Sequence, residues 1–296
     1  MRVLLSGASG LIGAALRASF ERESVDVVRL VRDAPKNAGE VQWNPMAAVP
    51  TPIISGFDAV VHLSGETVMG RWTAAKMKAI RESRVSSTKN LATALAAADR
   101  KPRVFVCASA IGFYGDHGDQ ILNEDSPSGP GFLPEICREW EQSSRIAADA
   151  GVRTVNVRIG LVLSAKGGAL SAMLTPFKLG GGGRIGSGKQ WWSWIHVDDI
   201  IGGIRLAIGN DSLSGPVNLV GPNPVRNADF TKVLASVLRR PAIFPVPEFA
   251  LRLAFGAQAA DEMLLASQRV VPARLEASGY PFRYPELRVA LENLLR

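Results

Sequence analysis

Three glycines at intervals of three open the chain's chemistry: Gly7-Ala8-Ser9-Gly10-Leu11-Ile12-Gly13. They follow a strand-like run, Arg2–Leu5, and lead into helical apolar spacing over Leu11–Arg22. In such a turn one glycine permits the tight bend, another lets backbone N–H groups approach a diphosphate, and the last lets helix and strand pack closely. The helix N-terminus adds a partial positive charge. Gly7, Ser9, Gly10, Leu11, Ile12 and Gly13 are therefore read as a dinucleotide cradle. A second strand, Asp26–Val31, ends at Arg32, 19 residues beyond Gly13. An acid at that place would bond a ribose 2′-hydroxyl, whereas a guanidinium pairs bidentately with a 2′-phosphate. Arg32 precedes Asp33, so NADP(H) is favoured over NAD. A further strand, Asp58–Leu63, runs into small residues, and Leu63, Ser64, Gly65 and Glu66 are placed along the same crevice. His62 is read as a strand residue, pointed away from that turn.

The elements that must position these groups alternate. Beyond the strands named, the pattern predicts a long helix over Thr73–Ala98, a strand at Val104–Ala108, a helix over Leu133–Ala150 and a strand at Arg153–Val157. Strands alternating with helices imply right-handed βαβ units and a parallel sheet covered on both faces. After Leu163 the pattern breaks, with glycines at 167, 168, 180–183, 186 and 188, and the last third is rich in proline. Short helices are expected at Asn227–Leu238, Glu248–Gly256 and Pro285–Leu295. The expected fold class is α/β: a Rossmann-like doubly wound parallel sheet with a smaller C-terminal α+β substrate lobe. Residues 1–165 would form the cofactor domain, with 195–220 returning to it, and 166–194 with 221–296 the smaller lobe.

The 296 residues include 47% hydrophobic, 21% charged and two cysteines, which excludes a disordered chain and a disulfide scaffold. The formal net charge is +7, but the basic residues are scattered, so no nucleic-acid partner is expected. No apolar run approaches the ~20 residues of a membrane span, and Val3-Leu4-Leu5 begins without a basic leader. A cytoplasmic protein without a membrane partner is the expectation. No His, Cys, Asp and Glu spacing suggests a metal site.

Several motifs together carry a resemblance. Gly7–Gly13, Val60–Gly65, Ser109-Ala110-Ile111-Gly112-Phe113-Tyr114-Gly115 and Trp194-Ile195-His196-Val197-Asp198-Asp199 resemble the extended short-chain dehydrogenase/reductase superfamily of NAD-dependent epimerases and dehydratases. The chain is most similar to an atypical branch, the YfcH-like epimerase-family proteins with a C-terminal domain of unknown function. Shared with that branch are Gly65-Glu66, Arg71-Trp72, Ser83-Arg84, Trp140-Glu141, Pro176-Phe177 with Ile185-Gly186-Ser187-Gly188, and Ser267 through Pro272. The resemblance spans essentially the whole length.

It implies NADP(H) binding and a crevice between two lobes. The superfamily's serine holds a substrate oxygen, its tyrosine exchanges a proton there, and a lysine four residues later stabilises the phenolate. Ser109 fits the first role. The pair does not exist here: four residues after the three tyrosines, 114, 280 and 284, stand Gly118, Tyr284 and Arg288. Cys137 and Glu141 fall at the family's positions, and a thiol beside a carboxylate has its pKa raised. Tyr114 is left open between substrate contact and packing, Glu141 between proton handling and structural pairing, Arg84 between cofactor phosphate and Glu66. Arg158 either meets an anionic substrate or forms an ion pair. Asp116, His117 and Glu124 lie nearby in sequence. The Lys178–Trp194 segment, with Arg184, Lys189 and three tryptophans, reads either as a lid over an anionic, ring-bearing ligand or as an aromatic anchor, the latter for Trp194. Asp198 is expected to cap the helix it opens. The functional expectation is an epimerase/dehydratase-like oxidoreductase acting, as monomer or homodimer, on a small, nucleotide-sugar-like molecule. The alternative is a catalytically impaired, NADPH-binding redox sensor.

Overall fold

In the computed structural model, which describes residues 1–296, seven parallel strands form the central sheet. They are β1 (Arg2–Ser6), β2 (Asp26–Val31), β3 (Glu40–Gln42), β4 (Ala59–His62), β5 (Val104–Ala110), β6 (Arg153–Ile159) and β7 (Gly215–Leu219). Their spatial order is β3-β2-β1-β4-β5-β6-β7. The order reverses between β1 and β4, and open parallel sheets bind ligands outside the carboxyl ends at such a reversal. The central strands are apolar on both faces because helices cover both. Helix α1 (Leu11–Arg22) packs on one face, and α2 (Ala74–Ala97) with α3 (Phe132–Asp149) on the other.

The Rossmann-like doubly wound sheet is the architecture expected from the sequence. Strand β3 and helix α4 (Gly168–Lys178) were not anticipated. The edge strand β3 has only three residues, too few for a period. Helix α4 is flanked by glycines and contains Pro176. Helix α5 (Val197–Gly209), which joins α1 on its face of the sheet, carries Gly202 and Gly203 mid-helix. A Cβ on Gly202 would lie 2.0 Å from the Tyr280 hydroxyl, so the glycine buys close approach at the expense of helix propensity. The expected Asp198 cap is corrected as well: His196 occupies the cap, its Nδ1 accepting from the Asp198 N–H at 3.0 Å. The carboxylate of Asp199 accepts instead from the backbone of Arg283 and Tyr284 and ties down the C-terminal segment.

The C-terminal part adds α6 (Asn227–Leu238), α7 (Glu248–Phe255) and α8 (Leu287–Leu295). Its own core joins Leu163, Phe177, Trp194, Phe230 and Leu291. Ahead of α6, Val225–Arg226 pairs antiparallel with Trp191–Trp192 in a separate two-stranded sheet.

His62, at the end of β4, is wholly buried between Ser6 and Ser87, 2.6 Å and 3.2 Å from their hydroxyls. Burial pulls its pKa down to about 4. A folded pKa below the unfolded one means stability present above about pH 6.5 and lost as pH falls toward 4. Wild-type chain should lose up to about 3 kcal/mol through this window by urea titration, and His62→Asn should lose less across the same interval.

Candidate functional site

The glycine turn brings α1 against β1 and β4. Gly7 has φ +72°, and a Cβ there would lie 2.7 Å from the Leu63 carbonyl carbon. A Cβ on Gly13 would stand 2.1 Å from the Gly7 oxygen. No side chain caps the first turn of α1, so the amides of Leu11 and Ile12 are left for a ligand, while that of Gly10 donates to the Gly7 carbonyl at 3.0 Å. Arg32 is exposed at the carboxyl end of β2, close enough for its charge to act on the Glu66 carboxylate. Ser64 donates to Ser6 at 2.9 Å, holding the β4 end against β1. The crevice thus joins Gly7–Gly13, Arg32 and Leu63–Glu66.

Glu66 and Arg84 meet at its edge, but not as an ion pair of side chains. The Arg84 guanidinium donates to the Glu66 main-chain carbonyl at 2.9 Å and to that of Ile80, and lies over the Trp140 ring. The Glu66 carboxylate takes Lys76 at 2.6 Å. The Lys76 hydrogen bond holds the Glu66 carboxyl below its usual range.

Beside the crevice lies a cavity of about 550 Å³, and 25 of its 37 lining residues are hydrophobic. Residues from the sheet ends, from α3 and α4, and from the C-terminal part all contribute. Ala110, Cys137, Arg84 and Ile159 stand at its sheet end. Trp191, Trp192 and Phe230 stand opposite. Burial pushes the Cys137 thiol up to about 12, with the Glu141 charge adding to the rise and Arg84 opposing it.

Ser109, Tyr114 and Glu141 come together, but outside the cavity lining. Successive strand residues face opposite ways. Ser109 and its neighbour Arg158 on β6 turn toward α3, while Ala110 and Ile159 turn to the cavity. The Ser109 hydroxyl donates to Glu141 Oε1 at 2.7 Å. Arg158 grips both Glu141 oxygens, Nε on Oε1 at 2.8 Å and Nη2 on Oε2 at 2.9 Å. Its remaining nitrogen donates to the Tyr114 hydroxyl at 3.0 Å, which in turn donates to Asn218 on β7. The Phe113 ring covers the guanidinium at 3.5 Å. Burial raises the Tyr114 phenol above its usual range, the wrong direction for a base.

The remaining sequence candidates are structural here. Glu124 accepts from the backbone of Asn218 and Arg274, and Asp116 from Gly118 and Ser267. His117 lies 3.3 Å from Gln120. Trp194 is buried and donates to Asn223, an anchor of the second core. Arg184 turns to the Gly186 carbonyl, and neither it nor Lys189 lines the cavity. Sequence reasoning missed Ala110 and Glu262. The alternation along β5 could have indicated Ala110. Glu262 had no local signal, for it reaches α3 from 130 residues away, accepting from the Phe132 and Leu133 amides at 3.0 Å and 2.7 Å.

The model of the NAD-dependent epimerase/dehydratase family matches residues 3–221. The chain belongs to that family. A second model, a domain of unknown function, matches residues 246–294 of this epimerase-family chain. An epimerase family protein of Mycobacterium bovis is 41% identical over 291 residues, covering 98% of this chain and 96% of its own. The crystal structure of human epimerase family protein SDR39U1 (isoform 2) with NADPH is similar at TM-score 0.92 and 34% identity, covering 99% of both chains. A nucleoside-diphosphate sugar epimerase from Corynebacterium glutamicum is similar at TM-score 0.84 and 38% identity, covering all of this chain and 58% of that one.

The Glu141–Arg158 pair yields a stability prediction for this epimerase-family protein. Arg158→Met leaves a carboxylate unpaired in the interior and should cost about 3–5 kcal/mol by denaturant unfolding. Adding Glu141→Leu should recover most of that loss; a double variant as unstable as the single one would contradict the coupling.

Proposed function

We propose that the chain is an NADP(H)-dependent oxidoreductase that acts on a small molecule held in the cavity. The observation that carries the cofactor is the exposed Arg32 at the carboxyl end of β2, in line with the uncapped first turn of α1. The turn would hold the diphosphate by backbone N–H groups, and Arg32 would hold the 2′-phosphate. The likeness to a human protein crystallised with NADPH supports the same cofactor. The fit is also steric, since side chains at 7 or 13 would close the cradle.

When bound, the dinucleotide supplies a hydride. The chain's own part is to exclude water, orient the acceptor and manage a proton. Ala110 and Cys137 leave the cavity wall without the hydroxyl and phenol of the family's relay. The Cys137 thiol in that wall stays protonated at neutral pH, because burial disfavours its thiolate. Ser109, Tyr114 and Glu141 act as positioning residues that hold β5, α3 and β6 in register behind the wall.

A second reading, a cofactor-binding sensor without turnover, draws on the Arg158 grip on Glu141, which occupies both carboxylate oxygens. Hydride transfer from NADPH to any carbonyl compound in single-turnover absorbance would exclude it.

Calorimetry on purified protein tests the cofactor. Arg32→Ala should weaken NADPH by roughly ten- to a hundredfold and NADH by little, the size of one charge-assisted phosphate contact. Equal losses for both nucleotides would overturn the assignment of Arg32.

A further inference from the structure

We infer that the cavity takes an apolar molecule bearing a single carboxylate or carbonyl oxygen rather than a sugar nucleotide. The inference rests on the cofactor reading above, because it places that oxygen at the sheet end, beside Arg84 and Cys137.

Charge is the first ground. Of the 37 lining residues only Arg84 and Glu262 are charged. Glu262 is committed to two amides of α3 and to Gln258, so it is not offered to a ligand. One cation is therefore left for the whole volume, and its pKa is lowered because burial strips water from it. A diphosphate brings two charges to that one cation, and an unpaired buried charge is prohibitively costly. A ligand with one acceptor oxygen matches one guanidinium.

Polar satisfaction is the second ground. Two polar side chains of the wall are engaged by main-chain groups. Ser193 donates to Gln268 and accepts from the Val270 amide, and Asn227 accepts from the Ile185 amide at 2.7 Å. The basic side chains of the nearby segment turn elsewhere: Arg226 and Arg269 lie over the Trp191 ring. Most of the lining is aliphatic and aromatic, Met173, Phe177, Leu251 and Phe255 among it. A cavity of about 550 Å³ falls in the ordinary range for small-molecule sites.

The test uses full-length, NADPH-loaded protein, with decanoate as probe and UDP-glucose as comparator, each titrated by calorimetry. Decanoate should bind at least about tenfold more tightly than UDP-glucose. Ala172→Trp, which fills the cavity from α4, should abolish decanoate binding. Arg84→Met should weaken decanoate by about tenfold or more while leaving uncharged decanol unchanged. Tighter binding of UDP-glucose, or decanoate binding indifferent to both substitutions, would overturn the inference. NADPH affinity is read separately on each sample from nicotinamide fluorescence. A wild-type chain that fails to bind NADPH defeats the proposed function, whereas one that binds NADPH and prefers UDP-glucose defeats only the substrate class.

Discussion

The grip of Arg158 on Glu141 is the contact on which the interior of the site depends. It is nearly dry, bidentate, and extended by Ser109 on one side and by Tyr114 and Asn218 on the other. Four elements of the fold, β5, β6, β7 and α3, are thereby joined by charge and hydrogen bonds as well as by apolar packing. A buried pair of this kind gains little net stability over an apolar replacement, but either charge alone would be strongly unfavourable. Its effect is geometric: it fixes the helix that carries Cys137 against the strand ends, and so determines what the cavity wall presents.

The substitutions around that pair are mutually consistent. A lysine at position 141 would face Arg158 and repel it; a glutamate there is what the buried guanidinium requires. Once the residue at 141 is an anion, a phenol at 137 would lose the cation that lowers its pKa, and a thiol stands there instead. Ala110, not Ser109, lines the wall. No tyrosine of the chain has a lysine four residues after it, and a single cation, Arg84, lines the cavity from a different helix.

Much of this was legible in the residues. The glycine turn, Arg32 and the alternation of strands and helices depend on local pattern, and the ends of α1 and β2 coincide with the sequence reading. Ser109 shows the limit. It was placed by its motif, yet a one-residue register within β5 turns it to α3 and gives the cavity to Ala110, a choice made by packing against Glu141 and not by local propensity. The cavity itself was not legible, because its walls come from positions as far apart as Ile80, Phe177 and Leu264. The basic residues of the glycine-rich segment, Arg184 and Lys189, suggested an anionic ligand, but Arg184 donates to the Gly186 carbonyl and neither side chain lines the cavity.

Glu262 gives the two parts of the molecule a common fate. Its carboxylate leaves the C-terminal part to close the leading turn of α3, so any excursion that swings this part outward strips two amides of their acceptor.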